Sequence, residues 1–114
     1  MTADAVVDTA LAAIDLGRWS SLRPDQVDPM DLGQWLGDHD ARPHGGESIA
    51  AFVARLRYWL DEHQESDVCA VVAAGTAQGL VSAATGADFF SVEVAPAAVI
   101  DMIGHRGRWR LRLT

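Results

Sequence analysis

The most regular pattern of apolar positions lies in residues 47–64. Ile49, Phe52, Val53, Leu56, Trp59 and Leu60 recur every three or four residues, which predicts an amphipathic helix with one apolar stripe. Arg55, Asp61, Glu62 and Glu65 fall on its solvated side, Ser48 is placed to cap its start, and Glu47 is favoured there by the helix dipole. A different pattern follows. Residues 68–73, Val-Cys-Ala-Val-Val-Ala, form an unbroken apolar run between Asp67 and Gly75. Short and β-branched, the run predicts a strand buried on both faces, with Cys69 an inert core residue. The Ala-rich stretch from Thr76 to Thr85 predicts a helix closed by Gly86. Residues 91–95 and 97–103 are β-rich on either side of Pro96, and residues 104–107 read as a turn. Residues 108–113 alternate strictly, so Trp109, Leu111 and Leu113 face the core and the arginines face out. Residues 97–113 therefore predict a hairpin.

The first third of the chain is less periodic. Residues 1–13 support a short strand or extended arm around Val6 and Val7, or a first helical turn. Residues 14–19 read as an extended or turn segment closed by Gly17. One short helix starts at Pro24, and a second runs from Asp28-Pro29 to Leu36. Residues 38–46, with His39, Asp40, Pro43, His44 and two glycines, read as a polar loop. The order is that of an α/β domain. The run at 68–73 belongs in the middle of a sheet, yet only the hairpin strands remain to flank it, so one of its edges lacks a partner.

Composition narrows the function classes. The 114 residues suit a single domain, and 49% hydrophobic residues with four Trp supply a core and exclude disorder as the main state. No apolar run is long enough to span a membrane, and no secretory leader is visible. A single Cys fits a reducing cytoplasm. A net charge of −7 argues against nucleic acid as a partner. All nine basic residues are Arg, a bias expected of a GC-rich genome. Every acid lies at or before Asp101, whereas Arg106, Arg108, Arg110 and Arg112 crowd the last nine residues. Such a tail can bind an anion or dock on an acidic face, but its simpler role is the charged outer face of an edge strand.

Four segments in order carry a family resemblance: Leu16-Gly17-Arg18-Trp19, Gly45-Gly46-Glu47-Ser48 opening the long helix, Val71-Val72-Ala73-Ala74-Gly75 before the Ala-rich helix, and residues 94–99 with the terminal Gly-Arg-Trp-Arg-Leu. The set, spread over residues 10–113, resembles the histidine phosphatase (phosphoglycerate mutase-like) superfamily. The resemblance implies a partial three-layer α/β sandwich, a mixed sheet with a C-terminal β-hairpin, completed by dimerisation. It also implies that the chain starts after the family's Arg-His-Gly strand, which bears the phosphoryl-accepting histidine and lies beside the strand matching 68–73. No Arg-His-Gly occurs in residues 1–114, and the position of the family's second histidine is Ala74. Glu47 matches the carboxylate that serves many relatives as proton donor. Without an activated nucleophile that acid does not make a phosphatase. Residues 1–114 are thus expected to be one catalytically degenerate domain acting through self-association or a partner at the open edge near 68–73. The alternatives are a small hydrolase, isomerase or lyase acting on an anion at a remodelled composite site, or half of a split phosphatase.

The candidate residues follow. Glu47 and His44 are candidates for a remnant or remodelled acid–base pair; as structural residues they are a carboxylate near a helix start and part of a solvated loop. Arg18, Gly75 and Thr76 are candidates for anion binding, with Thr76 and Gln78 near a helix N-terminus; simple capping is the plainer role. His39, His44 and Glu47 match no standard metal-ligand spacing, so neither a metal nor a cofactor is expected. His63 suits a helix C-terminus. Trp19, Trp35 and Trp59 are expected in the core or at an interface.

Overall fold

The computed structural model describes residues 6–113. Short 3-10 turns at Thr9–Leu11, Gly17–Ser21 and Pro24–Gln26 lead into α1 (Pro29–Gly37). Then come α2 (Ile49–Glu62), α3 (Ala74–Thr85), a 3-10 turn at Phe89–Ser91, β1 (Ile100–His105) and β2 (Arg108–Leu113). α1 and α2 have the starts that their sequences provide. Asp28 accepts from the Met30 N–H with Pro29 at the first helical position, and Ser48 accepts from the Ala51 N–H. Gly86, left-handed at φ 78°, ends α3, and His63 follows the last residue of α2.

The apolar stripe of α2 builds the core. Phe52, Leu56 and Leu60 are almost wholly buried, with Ile49, Trp35, Leu80, Ala83 and Phe89 around them. α3 lies against this stripe at Gly79, where a Cβ would stand 2.5 Å from Leu56 Cδ1 and 2.9 Å from Phe52 Cε2. β1 and β2 pair antiparallel, His105 opposite Arg108 and Ile100 opposite Leu113. Arg106 and Gly107 both have positive φ, 52° and 78°, as a tight two-residue hairpin turn requires. Arg57 fastens the hairpin to the helices, donating to the carbonyls of Ala83 (3.0 Å) and Gly107 (2.9 Å). Trp109 and Leu111 are half-buried and Arg108, Arg110 and Arg112 exposed, as the alternation predicts; the side chain of Leu113 and residues 1–5 lie outside the described residues.

Two expectations require correction. Residues 68–73 are not a buried strand: they join no ladder, and among the described residues the sheet is the hairpin alone. Val71 is 98% exposed, Val68 is 54% exposed and Cys69 is exposed rather than core. The physical reason is the absence of sheet neighbours, because an apolar run is covered on both faces only where strands flank it and layers cover it. Val68, Ala70 and Val72 do line a cavity of about 180 Å³ with Trp59, Leu80 and Met102. The alternation places Val68, Ala70 and Val72 on one side of the segment, where only Val72 is half-buried. Residues 91–95 form no strand either, and β1 starts only at Ile100, after a turn in which Ala97 takes φ 60° and the Ala98 N–H donates to the Ala95 carbonyl (3.2 Å). Of the alternatives for residues 1–13, a helical turn is present, the 3-10 turn at Thr9–Leu11, while Val6 and Val7 are exposed and join no ladder.

Candidate functional site

Two loops meet to position Arg18, His44 and Glu47. The Glu47 N–H donates to the Asp15 carbonyl (2.7 Å) and the Arg18 N–H to the His44 carbonyl (2.9 Å). The Asp15 carboxylate accepts from the Gly17 N–H (2.9 Å), a local turn of the kind Asp favours. The backbones approach so closely that only glycine fits. A Cβ on Gly46 would stand 2.2 Å from the Asp15 carbonyl oxygen, and one on Gly17, at φ 51°, 2.3 Å from that of His44.

His44 is not in a solvated loop. It is 1% exposed, set edge-on to Trp19 (4.9 Å between ring centroids, 77°) and Trp35 (4.5 Å, 64°). The loop folds inward because the two indoles supply apolar walls that the residue pattern of the loop does not reveal. Nδ1 accepts from the Gly46 N–H at 2.7 Å, which assigns the proton to Nε2, where no acceptor stands. Burial pushes the His44 pKa below the ordinary value of 6.5; Asp15 opposes this, while Arg42 and Arg18 add to it. His44 is therefore a neutral imidazole.

Glu47 is the opposite case. Arg55 grips it with two parallel bonds, Nε to Oε2 (3.0 Å) and Nη2 to Oε1 (2.9 Å), the forked geometry that suits guanidinium and carboxylate. The side chains are 18% and 26% exposed. These bonds hold the Glu47 carboxyl below its ordinary 4.5, with burial opposing and the Asp15 N–H assisting. An ionised carboxylate with both oxygens engaged is not poised to donate a proton. Arg55, assigned by periodicity to the solvated side of α2, instead donates also to the carbonyls of Ala10 and Ala12 and lies over the Phe52 ring. The missed signal is positional: Arg55 sits three residues beyond Phe52, on the flank of the apolar stripe.

The arginines here are occupied as well. Arg18 donates to the Pro43 carbonyl, and Arg42 to those of Gly45 and Gly46. A shallow cleft of about 420 Å³ is bordered by Asp15, Arg42, Glu47 and Arg55. Gly75 and Thr76 do not join it. Both lie in the first turn of α3, with Thr76 wholly buried and its hydroxyl unpartnered. The next residue, Ala77, shares the other cavity with Trp59, Leu60 and His63. Among the described residues no hydrogen bond, ion pair or shared cavity connects Gly75 or Thr76 to Arg18, His44 or Glu47. His39 lies apart, its Nε2 2.9 Å from Asp88 Oδ1 and its ring stacked on Phe90. No group of three or more His, Cys, Asp or Glu among the described residues is placed to hold a metal ion.

Against known families, the model of the histidine phosphatase superfamily (branch 1) matches residues 1–114. The chain belongs to that superfamily. No curated protein and no solved structure matches it. Its three helices and antiparallel hairpin are consistent with part of the histidine phosphatase fold. Glu47, at the resemblance's acid position, is here tied to Arg55, and His44 serves the loop junction. No helix among the described residues is long and apolar enough to cross a membrane.

The two ionisable groups predict separable pH effects. The folded pKa of His44 is lowered, so the unfolded chain binds the proton more readily. The His44 contribution to stability is present above about pH 6.5 and is lost as pH falls towards the folded value. Glu47, also lowered, keeps its contribution down to about pH 4.5 and loses it only below. Urea midpoints are expected to fall between pH 7.5 and pH 5 in the wild type, and to fall less in His44→Gln. Equal slopes in the two proteins would refute the assignment of a neutral, buried His44.

Proposed function

We propose that this histidine phosphatase superfamily domain is non-catalytic and works by association through residues 68–73. One observation carries the reading: an uncharged segment rich in valine, outside every helix and ladder, presents Cys69, Val71 and Ala73 to solvent. No backbone hydrogen bond among the described residues uses the N–H groups of residues 67–73. An edge of this kind is a template for another strand. The engaged state of Glu47 and Arg55, the alanine at position 74 and the lack of Arg-His-Gly in this sequence support the non-catalytic half of the reading.

Light scattering of the purified protein is expected to give a mass above 12.2 kDa at micromolar concentration. Val71→Lys, which puts a charge on the exposed face, is expected to weaken association at least about tenfold while leaving the helical content intact. Hydrolysis of a generic aryl phosphate is expected to stay at the buffer rate for wild type and Glu47→Gln alike. Turnover that disappears in Glu47→Gln would overturn the reading in favour of a composite active site. Turnover gained by Ala74→His together with an Arg-His-Gly half would favour a split phosphatase.

A further inference from the structure

The open segment has two chemically different ends. Glu65 and Asp67 precede it, and α3 follows it at once. α3 begins without help from any side chain: its N-cap is Ala73, which makes no capping bond, and its first turn contains no acid. Ala73, Ala74 and Gly75 are exposed. The first N–H groups of a helix have no acceptor within it and carry the positive end of its dipole. One stretch of chain thus joins an acidic end to an unanswered positive end, through an uncharged run whose N–H groups make no backbone hydrogen bond among the described residues.

We infer that the occupant of this edge is a second copy of the same chain. It pairs antiparallel about a two-fold axis at Ala70, so that Asp67 of each copy lies beside the uncapped start of α3 in the other. The inference rests on the associating reading above and names the partner at that edge. Three considerations fix the arrangement. A two-fold axis across an antiparallel pair sets a residue opposite its own equivalent. Only the register centred on Ala70 pairs the whole of residues 67–73, since the chain is helical from Ala74 onward. In that register Asp67 falls opposite Ala73, the residue whose side chain fails to cap α3. A parallel, in-register pair would instead set Asp67 against Asp67 and Glu65 against Glu65, a like-charge stack. The pairing also keeps faces consistent. Val68 meets Val72 on the side of the apolar cavity, and Cys69 meets Val71 on the face now open to solvent.

Cys69 is the sole cysteine, so cross-links can be placed at will in a Cys69→Ser background. Ala70→Cys is expected to form a disulfide dimer on mild oxidation, its two Cα atoms being about 5 Å apart. Val72→Cys, about 14 Å from its equivalent, is expected to remain unlinked. Asp67→Lys is expected to raise the dimer Kd about tenfold, and Asp31→Lys on α1 to leave it unchanged. Each variant is checked for wild-type helical content before its Kd is read. A monomer at hundreds of micromolar, linking of Val72→Cys as fast as Ala70→Cys, or a wild-type Kd for Asp67→Lys overturns the inference. The last two results would leave association itself standing. The reading beneath it falls by a different measurement, Glu47-dependent turnover.

Discussion

Phe52→Ala is expected to lower the unfolding free energy by about 3–5 kcal/mol, a large part of the roughly 5–15 kcal/mol that a domain commands. Phe52 is wholly buried at the centre of the α2 stripe, edge-on to Phe89 (6.0 Å between centroids) and beneath the Arg55 guanidinium (5.0 Å). Truncation leaves a cavity that α3 cannot close without moving off Leu56 as well. In a chain of this size the loss is roughly 12 °C or more in Tm. Gly79 gives the converse test. Gly79→Ala places a methyl inside contact distance of Leu56 and Phe52 and is expected to destabilise by about 1–3 kcal/mol. The two residues touch, so the substitutions should not add: Gly79→Ala should be milder in a Phe52→Leu background, with a coupling of about 0.5–3 kcal/mol. Urea unfolding of the four proteins reads the cycle. A Phe52→Ala loss under about 1 kcal/mol would refute the packing assigned to α2 and α3.

The same residues explain which parts of the fold were legible in the sequence. α2 was, because helical periodicity and burial are the same fact for a helix with one buried face. The hairpin was, because residues 108–113 alternate and Arg106-Gly107 supplies the turn. The exposure of residues 68–73 is not legible, because an apolar run reports what a segment would bury, not whether neighbours exist to bury it. Cys69 and Val71 are exposed for that reason alone. The burial of His44 is hidden in the opposite way. The loop around it is polar, and its walls, Trp19 and Trp35, come from two other elements, the 3-10 turn at Gly17–Ser21 and α1. The Glu47–Arg55 pair was invisible for a related reason. Glu47 precedes the helix, so no helical spacing connects it to Arg55, and the contact depends on how the chain enters α2. The glycine-rich Gly45-Gly46-Glu47-Ser48 segment marked the right place for a site, but not whether its charges were free.

Within that segment a single methyl group should do heavy damage. Gly46→Ala is expected to destabilise the protein by about 3 kcal/mol. The Cβ would meet backbone, not a yielding side chain: the Asp15 carbonyl oxygen at 2.2 Å and the Gly17 nitrogen at 2.7 Å. Separating the two loops strains two further contacts, the Glu47 N–H donating to the Asp15 carbonyl and the Arg18 N–H donating to that of His44. A shift of Gly46 itself also disturbs the N–H that holds His44 in its neutral tautomer. Gly45→Ala, at the preceding residue, is a useful comparison. Its Cβ would meet only the tip of Arg18, at 3.4 Å, but its φ of 77° makes any side chain unfavourable there. It should cost about 1–2 kcal/mol, from backbone strain alone. If association proceeds through residues 68–73, Gly46→Ala should leave the dimer Kd unchanged under conditions where the protein is folded, because the two regions share no cavity or bond among the described residues. Gly46→Ala that unfolds no more easily than Gly45→Ala would refute the close approach of the two loops, and with it the buried, neutral state assigned to His44.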